Sequence, residues 1–158
     1  MEKAMGMPEQ QAFILGGMLT LANRLQVLGD KLDEHMTMKQ WLLIAVILKS
    51  GSPAPALSDL AALFGSSRQN VKKMLQLLEN RGFVALAKDP QDARVLRVRL
   101  TEHCHRYFLA RQTLEEHFME ALFKDFDAEL TGALYRGLHK LTGNVAQMEH
   151  DNLPEGEE

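Results

Sequence analysis

Residues 57–101 read LSDLAALFGSSRQNVKKMLQLLENRGFVALAKDPQDARVLRVRLT. Leu57, Leu60, Ala61 and Phe64 recur at helical spacing and stop at Gly65. Ser67 is placed to cap a second helix, whose apolar stripe is Val71, Met74, Leu75 and Leu78 and whose end is Gly82. Two short helices joined by a Gly-containing turn form a helix-turn-helix. Phe83 to Lys88 then reads as a strand, Asp89-Pro90-Gln91-Asp92 as a turn, and Val95 to Leu100 as a second strand. In that second strand Leu96, Val98 and Leu100 share one face, and Arg97 and Arg99 share the other. The segment therefore predicts a helix-turn-helix followed by a two-stranded wing with a basic outer face.

Charge singles out the same region. From Ser66 to Arg106 there are nine Lys or Arg and four Asp or Glu, a net of +5, while the rest of the chain carries a net of −8. The total of −3 hides this split. A basic island on an acidic chain is the electrostatic footprint of a polyanion site.

Outward from this unit, the chain predicts long helices. Ile14, Met18, Leu21, Leu25, Leu28 and Leu32 place a helix over about 9–33, and Leu15, Leu19 and Ala22 widen its apolar face enough for two contact surfaces. Gly16 and Gly17 would permit close helix approach or a bend. Thr37 and Gln40 form a capping box that opens a largely apolar helix through Lys49. Beyond the wing, one long helix is expected over 101–123 and another over 127–149. These supply more apolar surface than one small core needs, and dimerisation is its simplest use. The fold class is mostly α with a small β-hairpin (α+β), a winged helix-turn-helix between long dimerisation helices. The expected organisation is one subunit over 1–158. Dimerisation helices occupy 9–36 and 101–149, the winged unit 37–100, and a disordered acidic tail 150–158.

Other classes find little support. MEKAMGMPEQ has no secretory core, and the longest unbroken apolar run, Trp41 to Leu48, is far shorter than the roughly 20 residues of a membrane span. A single Cys, Cys104, excludes an internal disulfide, so the expected compartment is the cytoplasm with no membrane partner. The chain shows no Gly-rich phosphate loop, nucleophile elbow or HExxH, so no enzyme and no cofactor are expected. Cys104 with His103 and His105, joined by His35 or His117, offers zinc-type ligands without a regular i, i+4 His pair. No metal site is expected, and a zinc-responsive regulator stands as an alternative.

The candidate contacts with double-stranded DNA lie at the start of the second helix and in the wing. In this geometry the helix N-terminus faces base edges in the major groove. It carries Ser67, Arg68, Gln69 and Asn70, then Lys72 and Lys73. Arg can donate twice to guanine, Gln or Asn can pair with adenine, and Lys suits phosphate. Arg94 lies at the wing tip, where Asp92 is placed to hold its guanidinium, and Arg97 is a phosphate contact or an exposed strand charge. A solvated outer face would also be polar, but solvation leaves the sign bias and the basic hairpin unexplained. A winged-helix module that binds protein instead of DNA predicts the same fold with no use for Arg68, Gln69, Lys72 and Arg94.

The order of motifs resembles the MarR family, the multiple antibiotic resistance regulators. It comprises Gln40-Trp41 in the apolar helix, Leu-x-x-Leu-Ala-x-x-Phe-Gly, Ser-Arg-x-x-Val, Leu-Glu-x-x-Gly-Phe-Val, Asp-Pro-x-Asp-x-Arg and Leu-Thr. The likeness is detailed over 37–101 and architectural elsewhere. It implies an obligate homodimer on pseudo-palindromic DNA, usually a repressor released by a small-molecule effector or by oxidation. It assigns Ser67, Arg68, Gln69 and Lys72 to a recognition helix and Asp92 and Arg94 to the wing. The chain departs from the family at Ala93, commonly Arg, at Ser66, usually aliphatic, and at Cys104, commonly Gly. The family's redox-sensing members place their reactive Cys in the first helix, where this chain has none.

Overall fold

Thr37 shows how local chemistry starts an element. Its hydroxyl accepts from the Gln40 N–H at 3.2 Å, and the Gln40 side chain accepts from the Thr37 N–H at 3.1 Å, the reciprocal box expected from sequence. The computed structural model describes residues 5–152. In chain order the elements are α1 (Met7–Leu32), α2 (Met38–Lys49), α3 (Leu57–Phe64), α4 (Arg68–Asn80), β1 (Val84–Lys88), β2 (Leu96–Leu100), α5 (Glu102–Ala110), α6 (Gln112–Leu122) and α7 (Ala128–Asn152). They fall into two units, one ending at Leu109 and the other starting at Ala110.

The first unit holds the core. Leu43 and Ile44 of α2, Leu60 of α3, Val71, Leu75 and Leu78 of α4, Val98 of β2 and Cys104 of α5 are all fully buried. A buried aliphatic side chain contributes about 1.5–3 kcal/mol, so this cluster fixes the helix pair and the hairpin as one body. Gly65 and Gly82 take left-handed backbone (φ 69° and 77°). At each, the glycine and the residue after it donate to carbonyls of the last helical turn, which closes α3 and α4. Thr101 fastens the hairpin to α5: its Oγ1 donates to the Gly82 carbonyl at 2.5 Å and accepts from the Cys104 N–H at 3.1 Å.

The hairpin pairs β1 with β2 antiparallel, from Val84↔Leu100 to Lys88↔Leu96. On the other side of β2 the Val98 N–H donates to the Pro55 carbonyl at 3.0 Å, and Ala56 forms a bridge with Arg97. The loop before α3 thus supplies a short third edge that the sequence reading lacked.

Four further expectations change. Close approach on α1 occurs at Gly29, where a Cβ would collide with Met38, whereas Cβ atoms at Gly16 and Gly17 would meet nothing within 4 Å. The helix expected over 101–123 is two, because Arg111 leaves helical backbone (φ −102°, ψ 6°). Helix α7 begins after Asp127, whose carboxylate accepts from the Leu130 N–H at 2.8 Å, and runs through Asn152. Residues 150–152 are therefore helical; the remainder of the expected tail, 153–158, lies outside the described residues. Helix α1 is also long and apolar enough to cross a membrane by length and composition, although polar residues interrupt its apolar runs. Interface helices of soluble proteins share that composition, and α1 carries Asn23, Arg24 and Gln26 within its length.

The second unit contains α6 and α7, and none of their described residues is buried. Leu130, Leu134, Leu138, Leu141 and Val145 of α7 share one side at helical spacing and are all exposed. Most apolar side chains of α1, among them Phe13, Leu15, Leu19 and Leu28, are exposed as well.

Candidate nucleic-acid interface

Helix α4 presents its outer face because its inner face is committed. With Val71, Leu75 and Leu78 fully buried, the 3.6-residue period turns Gln69, Lys72, Lys73 and Gln76 outward, and all four are exposed. The Ser67 Oγ accepts from the Asn70 N–H at 3.2 Å, so Ser67 serves as the N-cap. Arg68, Gln69 and Asn70 follow in the first turn, where free backbone N–H groups and the positive end of the helix favour phosphate.

Two carboxylates organise the wing. Asp89 Oδ1 accepts from the N–H groups of Gln91 (2.8 Å) and Asp92 (3.1 Å), while Oδ2 accepts from Arg97 Nε at 2.7 Å. Arg97 also donates from Nη1 to the Ala54 carbonyl at 3.3 Å. The Arg97 guanidinium beside Asp89 and the two N–H groups hold this carboxyl below the usual carboxylate range. At the tip, Arg94 donates from Nε and Nη2 to the two oxygens of Asp92, each at 3.0 Å, and its backbone N–H donates to Oδ1. This bidentate pair lowers the Asp92 pKa and raises that of Arg94. The Arg94 side chain is still 90% exposed. Of its five N–H donors, the pair uses two and leaves three for a ligand.

Helix and wing face each other across a cleft of about 560 Å³. Arg68, Gln69, Lys72 and Arg94 line it together, joined by Gln76, Glu79 and Lys88. Ser67, Asn70, Lys73, Asp92 and Arg97 do not line it. Asn70 and Lys73 lie exposed on α4, whereas Arg97 is tied into the frame of the wing by Asp89 and Ala54. Arg97 thus has a structural use that the strand alternation did not reveal, and the exposed basic position of β2 is Arg99. Gln76 and Glu79 were missed, although the spacing 69-72-76-79 places them on the same face. Lys88 was missed because its position depends on the hairpin register.

The departures noted in the sequence have definite places. Ala93 lines the cleft as a methyl group, so the tip offers Arg94 without a neighbouring Arg. Ser66 is half-buried, and its N–H closes α3 onto the Ala61 carbonyl at 3.1 Å. Cys104 is 1% exposed, and burial pushes its thiol up to about 11, which suppresses the reactive thiolate. The His103 ring packs on Phe83 at 4.9 Å. Among the described residues, no group of three or more His, Cys, Asp or Glu is placed to hold a metal.

A helix-turn-helix whose second helix shares a basic cleft with an Arg-tipped hairpin is a winged helix-turn-helix protein. Within that class the chain is similar to the MarR family, whose model matches residues 36–95, the winged unit up to the start of β2. The transcriptional repressor MprA of Escherichia coli K12 is 27% identical over 96 residues, which cover 61% of this chain and 54% of MprA. The chain thus spans about half the length of the curated relatives it matches. Solved structures share the fold over more of the chain. A MarR protein from Peptoclostridium difficile superposes with a TM-score of 0.76 at 20% identity, covering 94% of this chain and 97% of its own. BpsR of Bordetella bronchiseptica, whose DNA binding is regulated by 6-hydroxynicotinic acid, gives 0.68 at 21% identity, covering 80% and 91%.

Proposed function

We propose that this protein is a sequence-specific DNA-binding transcriptional regulator. It acts as a homodimer on a pseudo-palindromic operator, as a repressor released by a small ligand. One observation carries the reading: Arg68, Gln69, Lys72 and Arg94, drawn from two elements, converge on one cleft within the basic segment of an acidic chain. Arg68 and Gln69 read base edges in the major groove, Lys72 and Lys73 meet phosphates, and Arg94 enters the adjacent minor groove. The exposed apolar faces of α1 and α7 support the dimer, because a second copy offers matching surface. MprA, a repressor by name, and BpsR, with its ligand-regulated DNA binding, support repression and ligand release. Such a regulator works in the cytoplasm, where the DNA lies.

Selection of bound duplexes from a random pool tests the reading. The expected product is two half-sites about 10 base pairs apart, with affinity falling steeply as salt rises. A pool that emerges unenriched overturns it in favour of a protein-binding module.

A further inference from the structure

Glu79 is out of place electrostatically. It lies in the last turn of α4, where the helix dipole disfavours an anion, and it lines a cleft whose other charged residues, Arg68, Lys72, Lys88 and Arg94, are all cations. Its contact gives it a use: Oε1 accepts from the Leu86 N–H at 2.9 Å. Leu86 pairs with Val98, and the Val98 N–H donates outward to Pro55 at 3.0 Å. At this one level of the hairpin both outer edges are therefore bonded, β2 to the loop before α3 and β1 to the recognition helix.

We propose that Glu79 is a positioning residue for DNA recognition, clamping the outer edge of β1 to α4 and so setting the separation between Gln69 and Arg94. The proposal rests on the DNA-binding reading above. The bond is exposed, so its net contribution to stability is small. Its effect is geometric, because the helix and the tip must meet neighbouring grooves at once, and a loose wing loses the contact of Arg94 without unfolding.

Two neutral variants of similar length isolate the bond. Glu79→Gln keeps an oxygen acceptor and Glu79→Met removes it; Glu79→Ala is the second acceptor-free variant. Amide exchange on the free protein reads the clamp without DNA. Leu86 should exchange about 2- to 10-fold faster in Glu79→Met and near the wild-type rate in Glu79→Gln. Titration on the selected operator reads the function. Arg94→Ala should cost about 5- to 150-fold in the wild-type and Glu79→Gln backgrounds, and under about twofold in Glu79→Met if the tip no longer reaches its groove. Lys73→Ala should cost the same in every background.

Unchanged Leu86 exchange in both acceptor-free variants overturns the clamp. An Arg94 effect of full size in Glu79→Met overturns the positioning role. A wild-type protein that selects no sequence overturns the DNA-binding reading, and the role built on it, while the exchange result still stands or falls by itself.

Discussion

Helices α4 and α7 are both amphipathic, yet their apolar faces have opposite fates. The apolar side of α4 is fully buried at Val71, Leu75 and Leu78 within its own unit. That of α7 is open, with Leu138 45% and Val145 52% exposed. The same sequence period thus serves two ends. In α4 it fixes the outer face by occupying the inner one. In α7 it leaves an apolar stripe of the kind that a second subunit covers.

Five experiments sharpen or break this contrast, the largest effect first. Leu75→Ala removes a fully buried side chain and should cost about 2–5 kcal/mol in chemical denaturation. Leu138→Ala should leave the fold of the isolated subunit intact. A loss at Leu138 as large as that at Leu75, in a demonstrated monomer, would erase the difference. Leu138→Lys, in turn, places a charge on the α7 stripe. It should convert a dimer into monomers at micromolar concentration in sedimentation while the helical signal is retained. A wild-type protein that sediments as a monomer would break the proposed use of that face.

Contacts on the exposed side of α4 and on the wing should act on binding alone. Arg94→Ala should weaken operator binding by about 1–3 kcal/mol without changing the melting temperature. Ala93 gives the tip no second Arg to substitute. A lowered melting temperature would make Asp92–Arg94 a structural pair. Gln69→Ala should change the preferred sequence, whereas Lys73→Ala should weaken all sequences and reduce the salt slope by about one. Uniform losses from both would reverse the assignment of base and phosphate contacts.

The smallest effect is that of acid on the wing. Asp89 and Asp92 have folded pKa values held below the usual carboxylate value of 3.8. Their contribution is complete above that value and is lost as pH falls through the depressed folded values. The amide signals of Gln91 and Asp92 should therefore stay constant from pH 5 to 8, roughly the range above carboxylate titration, and move only in stronger acid. Movement of these signals near neutral pH would show that another group controls the turn.

Much of the winged unit was legible because its signals are local. Thr37 with Gln40, Ser67 with Asn70, and Gly65 and Gly82 each act within about one turn of backbone, so a short window of sequence contains both partners. The Asp92–Arg94 pair, two residues apart, was readable for the same reason. Residues 36–95 also match the MarR family model. The break at Arg111 was not legible, since neither Gly nor Pro marks it.

By itself, then, the sequence determined the helix-turn-helix and hairpin, the caps at Thr37 and Ser67, the basic face and the surplus of apolar surface, because helical period, turn chemistry and charge are properties of the chain. Tertiary structure alone decided which polar groups hold the wing and which remain open to a ligand. Arg97 reaches Ala54, 43 residues away, and Glu79 reaches Leu86 only when the hairpin register turns that N–H outward. Gly29 acquires its meaning only when Met38 packs against it. Such contacts depend on where separate segments meet in space, and no spacing along the chain encodes them.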